Sequence, residues 1–210
     1  MTLPELCGAA AVVCILGACA SASAGSADGL DVDALERLYE ARTDSARMRF
    51  SEADVAFVSG MIAHHGQAID MSELAPARAA SESVRTLAAR IINAQRDEIA
   101  WMERWLRERG QPLPAPGAMD HTGHLPGMLT PAEIDALGRS SGADFDRLFL
   151  DSMIRHHEGA LAMVETLLAS EEAVQDPATF KLASDIHVDQ STEIARMHRM
   201  LDTLNRGDAR

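Results

Sequence analysis

Lysine occurs once in this 210-residue chain, at Lys181, and every other basic residue is an arginine. Lys and Arg together number 19 against 32 acidic residues, which leaves a formal net charge of -13. A surface of that sign has nothing with which to neutralise a phosphate backbone, which argues against nucleic acid as a partner. Cysteine is confined to Cys7, Cys14 and Cys19, so the chain beyond residue 19 has neither a disulfide nor a thiolate ligand. Aromatic residues make up only 4%, and no stretch alternates apolar and polar residues as a half-buried strand requires. Long apolar runs are missing as well: "AAAVVCILGAC" (Ala9 to Cys19) is too short to span a bilayer as a mature helix. What remains is 47% hydrophobic residues, 11 methionines and eight histidines. That composition suits a single well-buried globular domain, soluble or given to gathering cations.

The N-terminus reads as an export signal. "LGAC" (Leu16 to Cys19) resembles the lipobox of bacterial lipoproteins, in which the cysteine is lipidated, and the small, polar "ASASAGSADG" after it suits a flexible tether. The expected layout is a signal segment over 1–19, a linker over 20–32 and one domain over 33–207. Lipidation at Cys19 would be its only link to a membrane, in the cell envelope or periplasm. The segment "MTLPEL" departs from the usual pattern, with no Lys or Arg and with Glu5. Plain secretion, with cleavage after Ala22 or Ala24, is the alternative.

The rest reads as helices. A short one is expected over Val32 to Arg49, and "SEAD" (Ser51 to Asp54) offers an N-cap with acids in the first turn. The helix it starts should reach Leu74, where "APARAAS" breaks it. A second long helix should run from Glu82 to Arg109, closed by Gly110. The Pro- and Gly-rich stretch from Gly110 to Pro131 reads as a loop that carries no core. "TPAE" (Thr130 to Glu133) is a capping box with Pro at the first helical position. Long helices over Ala143 to Ser170 and Pro177 to Asn205, the latter capped by Asp176, complete an all-α chain.

Two phrases recur. "MIAHHGQAIDM" (Met61 to Met71) returns as "MIRHHEGALAM" (Met153 to Met163). Asp54, Phe57, Met61, His64, His65, Ala68 and Met71 reappear at a constant offset as Asp146, Phe149, Met153, His156, His157, Ala160 and Met163. In the following helix Leu87, Ile91, Gln95, Glu98, Ile99, Met102 and Leu106 reappear as Leu182, Ile186, Gln190, Glu193, Ile194, Met197 and Leu201. Each copy (about 51–109 and 143–205) is a helical hairpin, and two hairpins bury their stripes by closing a four-helix bundle. At about 100° per residue, the repeated positions of the first motif fall within an arc of roughly 120°, with both histidines along the edges of the apolar stripe. Gln95, Glu98 and Met102 share a stripe with Ile91 and Ile99 on the partner helix.

Polar groups on such stripes are costly unless paired or bound. One explanation is a satisfied core network, with each histidine bonded to a carboxylate or Gln across the bundle and methionine filling space. The other is metal contact by Met61, His64, His65, Met71 and Met102, and by Met153, His156, His157, Met163 and Met197. "MDHTGHLPGM" (Met119 to Met128) adds Met119, His121, His124 and Met128 with no apolar periodicity to account for them. Thioether and imidazole together favour copper, above all Cu(I), or its analogue Ag(I).

The phrase "MIxHHxxAxxM" followed by "QxxEIxxM", present twice, resembles the domain of unknown function 305 family from Asp54 to Leu201. "PGMLTPAEIDAL" and "GADFDRLFL" between the copies belong to the same likeness. The resemblance implies a ferritin-like four-helix bundle, exported, with some members tied to copper or silver binding and resistance. Two other functions remain open. One is an envelope interaction or scaffold module whose His–Glu networks are purely structural. The other is a metal-dependent redox enzyme of the ferritin-like class. A di-iron site uses Glu-x-x-His, but Glu98 meets Trp101 and Glu193 meets Arg196 at that spacing. No nucleophile, base and orienter stand together, and no catalytic residue is assigned.

Overall fold

A computed structural model describes residues 31–47, 49–114, 125–171, 173 and 176–208. Cys7, Cys14 and Cys19, together with Met119, His121 and His124, lie outside the described residues. The chain divides into two units, residues 1–39 and 40–210. Helix α1 (Val32–Arg47) begins where the Asp31 carboxylate accepts the Ala34 amide at 3.1 Å.

In the second unit the capping signals act where the residue types place them. Ser51 Oγ accepts the Asp54 amide at 3.1 Å while Asp54 Oδ2 accepts the Ser51 amide at 2.9 Å, and α2 (Glu52–Glu73) starts there. The expected break at "APARAAS" is a short further helix, α3 (Ala75–Arg78), because Pro76 falls in its first turn, where a missing amide costs nothing. Helix α4 (Glu82–Glu108) ends at Gly110, whose φ of 66° lets the Gln111 amide turn back to the Leu106 carbonyl at 2.9 Å. Thr130 and Glu133 form the second capping box and open α5 (Pro131–Arg139). Helix α6 spans Gly142–Leu168 and α7 spans Pro177–Asp208, with Asp176 Oδ1 accepting the Ala178 amide at 2.9 Å. Among the described residues there is no strand, only an isolated bridge between Ala79 and Gly142, and no helix is long and apolar enough to cross a membrane.

Helices α2 and α4 pack as one hairpin, α6 and α7 as another, and α2 lies against α6 between them. This is an all-α, four-helix bundle. Its core has two clusters. One gathers Phe145, Phe149, Met153, Met71, Leu87, Ile91 and Met197; the other gathers Phe57, Met61, Met102, Trp105, Met163 and Ile186. Each fully buried Leu, Ile or Phe side chain contributes about 1.5–3 kcal/mol relative to exposure. The second cluster is closed by a polar knot, in which Asp176 accepts Trp105 Nε1–H at 2.9 Å and the Arg109 guanidinium, itself stacked 4.3 Å from the Trp105 ring.

Candidate metal centre

All four motif histidines lie fully inside the bundle, on the two helices that pack across its middle. The doubled phrase thereby becomes one place. The rings of His64 and His156, at matching positions in α2 and α6, stand 3.8 Å apart between centroids and 40° apart in plane. Burial pushes His64 down to about 3 and His156 well below its ordinary value, so both imidazoles are neutral.

The hydrogen bonds decide which nitrogen carries each proton. His64 Nε2–H donates to the Pro126 carbonyl at 3.0 Å. His65 Nε2–H donates to Glu98 Oε2 at 2.6 Å, and at the matching place in the second hairpin His157 Nε2–H donates to Glu193 Oε2 at 2.7 Å. In all three, Nδ1 is buried and has no hydrogen-bond partner; in His156 neither nitrogen has a partner of ordinary geometry, although the His64 backbone lies near enough to favour its charged form. Metal-ligating histidines typically donate one ring N–H to a carboxylate or carbonyl, which fixes the tautomer and leaves the other nitrogen's lone pair for the ion. Three of these four are so arranged, and the fourth has two nitrogens to offer. Asp189 stands beside the two carboxylates that orient His65 and His157. Partial burial, then Glu98 and Glu193, raise its own carboxyl above the ordinary range.

The methionines fall into two layers. One turn from the His65–Glu98 bond, the antiparallel α2 and α4 place Met61 and Met102 at the same level. One turn from His157–Glu193, α6 and α7 do the same with Met153 and Met197. The second methionine of each motif crosses to the other hairpin's layer: Met163 joins Met61 and Met102, and Met71 joins Met153 and Met197. A Cβ on Gly60 of α2 would lie 3.3 Å from Met163 Cε. Thioethers therefore stand on both sides of the central imidazoles.

Loop residues contribute something the sequence reading missed. The segment from Leu125 to Thr130 lies as a strap across α2 and α6. Besides the Pro126 carbonyl on His64, Gln67 bonds Leu129 twice, accepting its amide at 2.7 Å and donating to its carbonyl at 2.9 Å. Gly127, with φ of 73°, packs backbone to backbone on Gly159. The expectation that the loop carries no core fails at this end, because Leu129 is buried in the first cluster and Leu125 packs on the second. Met128, the described member of the loop's candidate ligands, is half-buried on this strap. Among the described residues, no group of three or more His, Cys, Asp or Glu side chains is arranged to hold a metal. The donor set at the centre is instead imidazole flanked by thioether, which suits a soft ion. Glu98 and Glu193 were visible in sequence as polar residues on an apolar stripe, whereas Gln67, Pro126, Gly127 and Gly159 carry no pattern that would mark them.

Fold and site together define a four-helix bundle with paired histidines and methionines enclosed at its middle. The family model for the domain of unknown function (DUF305) matches residues 54–201, and the chain belongs to that family. Solved structures agree. A DUF305 fragment from Deinococcus radiodurans is 34% identical with a TM-score of 0.65, covering 73% of this chain and 98% of that one. A candidate secreted DUF305 protein from Streptomyces coelicolor is 30% identical with a TM-score of 0.63, covering 73% and 94%. CopM in its Cu(I)-bound form is 32% identical with a TM-score of 0.57, covering 71% and 96%, and CopM has also been solved with Ag and with Cu(II). No curated protein matches the chain.

Proposed function

We propose that this chain is an exported binding protein for soft metal ions, Cu(I) and its analogue Ag(I), that serves metal handling or resistance rather than catalysis. The observation that carries the proposal is His156, fully buried 3.8 Å from His64 with no side-chain partner at either ring nitrogen. A purely structural network would give each buried histidine a partner, since an unpaired polar group costs about 1–3 kcal/mol. Three of the four have one of good geometry, whereas His156 meets only the His64 backbone.

The groups that would hold an ion are Nδ1 of His64, His65 and His157 and either nitrogen of His156, with thioethers from Met61, Met102 and Met163 on one side and Met71, Met153 and Met197 on the other. Because His64 and His156 are already neutral, ligation there releases no proton. Methionine and histidine would do in an oxidising compartment what cysteine does elsewhere. The Cu(I)-bound, Ag-bound and Cu(II)-bound forms of CopM support the choice of metal, and the Streptomyces coelicolor relative supports export. Met119, His121, His124 and Met128 belong to the same reading as a separate set.

Chelator-competition titration with Cu(I), run beside circular dichroism melts, tests this. The full chain should bind more than one Cu(I). His64→Ala with His65→Ala should lower that capacity, while His156→Leu should weaken Cu(I) binding without lowering the melting temperature. Full Cu(I) capacity in both variants would defeat the proposal.

A further inference from the structure

Resting on the metal-binding reading above, we infer that Gln67 is a positioning residue for His64, acting through the strap from Leu125 to Thr130. Gln67 and Gly159 occupy matching positions in the two motifs, three residues after His64 and His156 respectively. The hairpins share the His65–Glu98 and His157–Glu193 bonds. The two motifs differ at several positions, and at this one both members of the pair touch the same strap. Gln67 grips it through the Leu129 amide and carbonyl. Gly159 lets it descend onto α6: a Cβ there would stand 2.0 Å from the Pro126 oxygen, closer than any side chain is tolerated.

The strap has one seat in a molecule with two matching halves, so it can serve only one of the two central histidines. It serves His64. A carbonyl oxygen can only accept, so the Pro126 carbonyl requires a proton on His64 Nε2 and leaves Nδ1 as the lone-pair nitrogen. His156 has no strap contact and no side-chain partner; only the His64 backbone acts on its ring. Gln67 therefore sets the tautomer of a ring it does not touch, by fixing where the Pro126 carbonyl sits. The two halves become unequal as binding sites: the His64 side is preorganised by the strap, whereas the His156 side has no strap contact to fix its ring. The chain thereby offers a tight and a weaker position in place of two equal ones.

Proton–nitrogen correlation spectra of the ¹⁵N-histidine-labelled full chain, without metal, read the tautomer directly. His64 should appear as the Nε2–H form in the wild type. Gln67→Ala should convert it to an exchanging mixture, and Gly159→Ala should do the same from the opposite helix, although alanine is the better helix former. His65 and His157 should keep their Nε2–H signals in both variants. Ag(I) competition titrations on the same samples should show the tighter step weakened about 10-fold, the size of loss typical for removing a group that orients a ligand. Gln67→Glu, which can still accept from the Leu129 amide, should recover part of the Nε2–H population. A His64 signal that stays Nε2–H in both Gln67→Ala and Gly159→Ala would overturn the inference whatever happens to the metal. A shifted tautomer in a protein that binds no Ag(I) would uphold the positioning role while removing the metal reading.

Discussion

A neutral imidazole sealed inside an apolar core needs a donor or acceptor for each ring nitrogen, and His64 and His156 between them have one bond of good geometry, from His64 to the Pro126 carbonyl. The consequence for the metal-free protein is a specific pH dependence. Burial holds His64 near 3 and His156 well below its ordinary value, while in the unfolded chain both titrate near 6.5. Between those limits the unfolded chain binds protons that the native state refuses, so acid favours unfolding. Above about pH 6.5 the native state carries no such penalty, and below it each of the two histidines removes about 1.4 kcal/mol per pH unit. For His64 the loss levels off as pH falls through about 3. Urea midpoints at pH 7.5 and pH 5 should therefore fall steeply in the wild type, and by about half as much in His156→Leu. Equal slopes would mean that His156 is protonated in the native state. At this scale the sequence was partly legible. The repeat and the helical arc placed all four histidines inside, but the stacking of His64 on His156 depends on how α2 crosses α6, which no local pattern encodes.

Helices were the most legible elements, because their ends are written in residues that act locally. Ser51 with Asp54 and Thr130 with Glu133 each satisfy two orphan amides reciprocally. The left-handed turn at Gly110 stops α4 where expected. Ser51→Ala should lower the urea midpoint by an amount equivalent to about 1 kcal/mol with no change in slope. An unchanged midpoint would mean that tertiary packing alone fixes the start of α2. The strap was illegible for the opposite reason. It has no period and forms no helix; its conformation comes from contacts made far away in sequence, with the Gln67 side chain and the Gly159 backbone. The Pro- and Gly-rich composition that marked it as loop also hid the fact that Leu129 closes part of the core.

For the whole molecule, the decisive property is that each motif reaches across the bundle. Met71 lies with the second hairpin's methionines and Met163 with the first's, so neither hairpin completes a layer by itself. That exchange follows from the antiparallel packing of two copies and was beyond the reach of the periodicity within either copy. The resulting sulfur is graded in exposure. Met128 and Met200 are half-buried, Met163 is 8% exposed, and Met61, Met71, Met102, Met153 and Met197 are at 0%. Among the described methionines, mild peroxide followed by peptide mass mapping should oxidise Met128 and Met200 first and Met163 next. The remaining five should follow together, at the rate at which the bundle opens. Early, independent oxidation of Met61 or Met153 in the native protein would contradict the packing.

The lack of any cysteine beyond residue 19 then takes on a second meaning. A thiol would be attacked before a thioether and would shield it. Without one, the buried thioethers proposed to carry the ion are open to an oxidant whenever the bundle opens, and a sulfoxide is a polar group forced into an apolar layer. Under the proposed function, ion and oxidant would compete for the same lone pairs. A bundle that carried the proposed ion would keep those thioethers occupied, and the empty bundle would be the form with a lifetime.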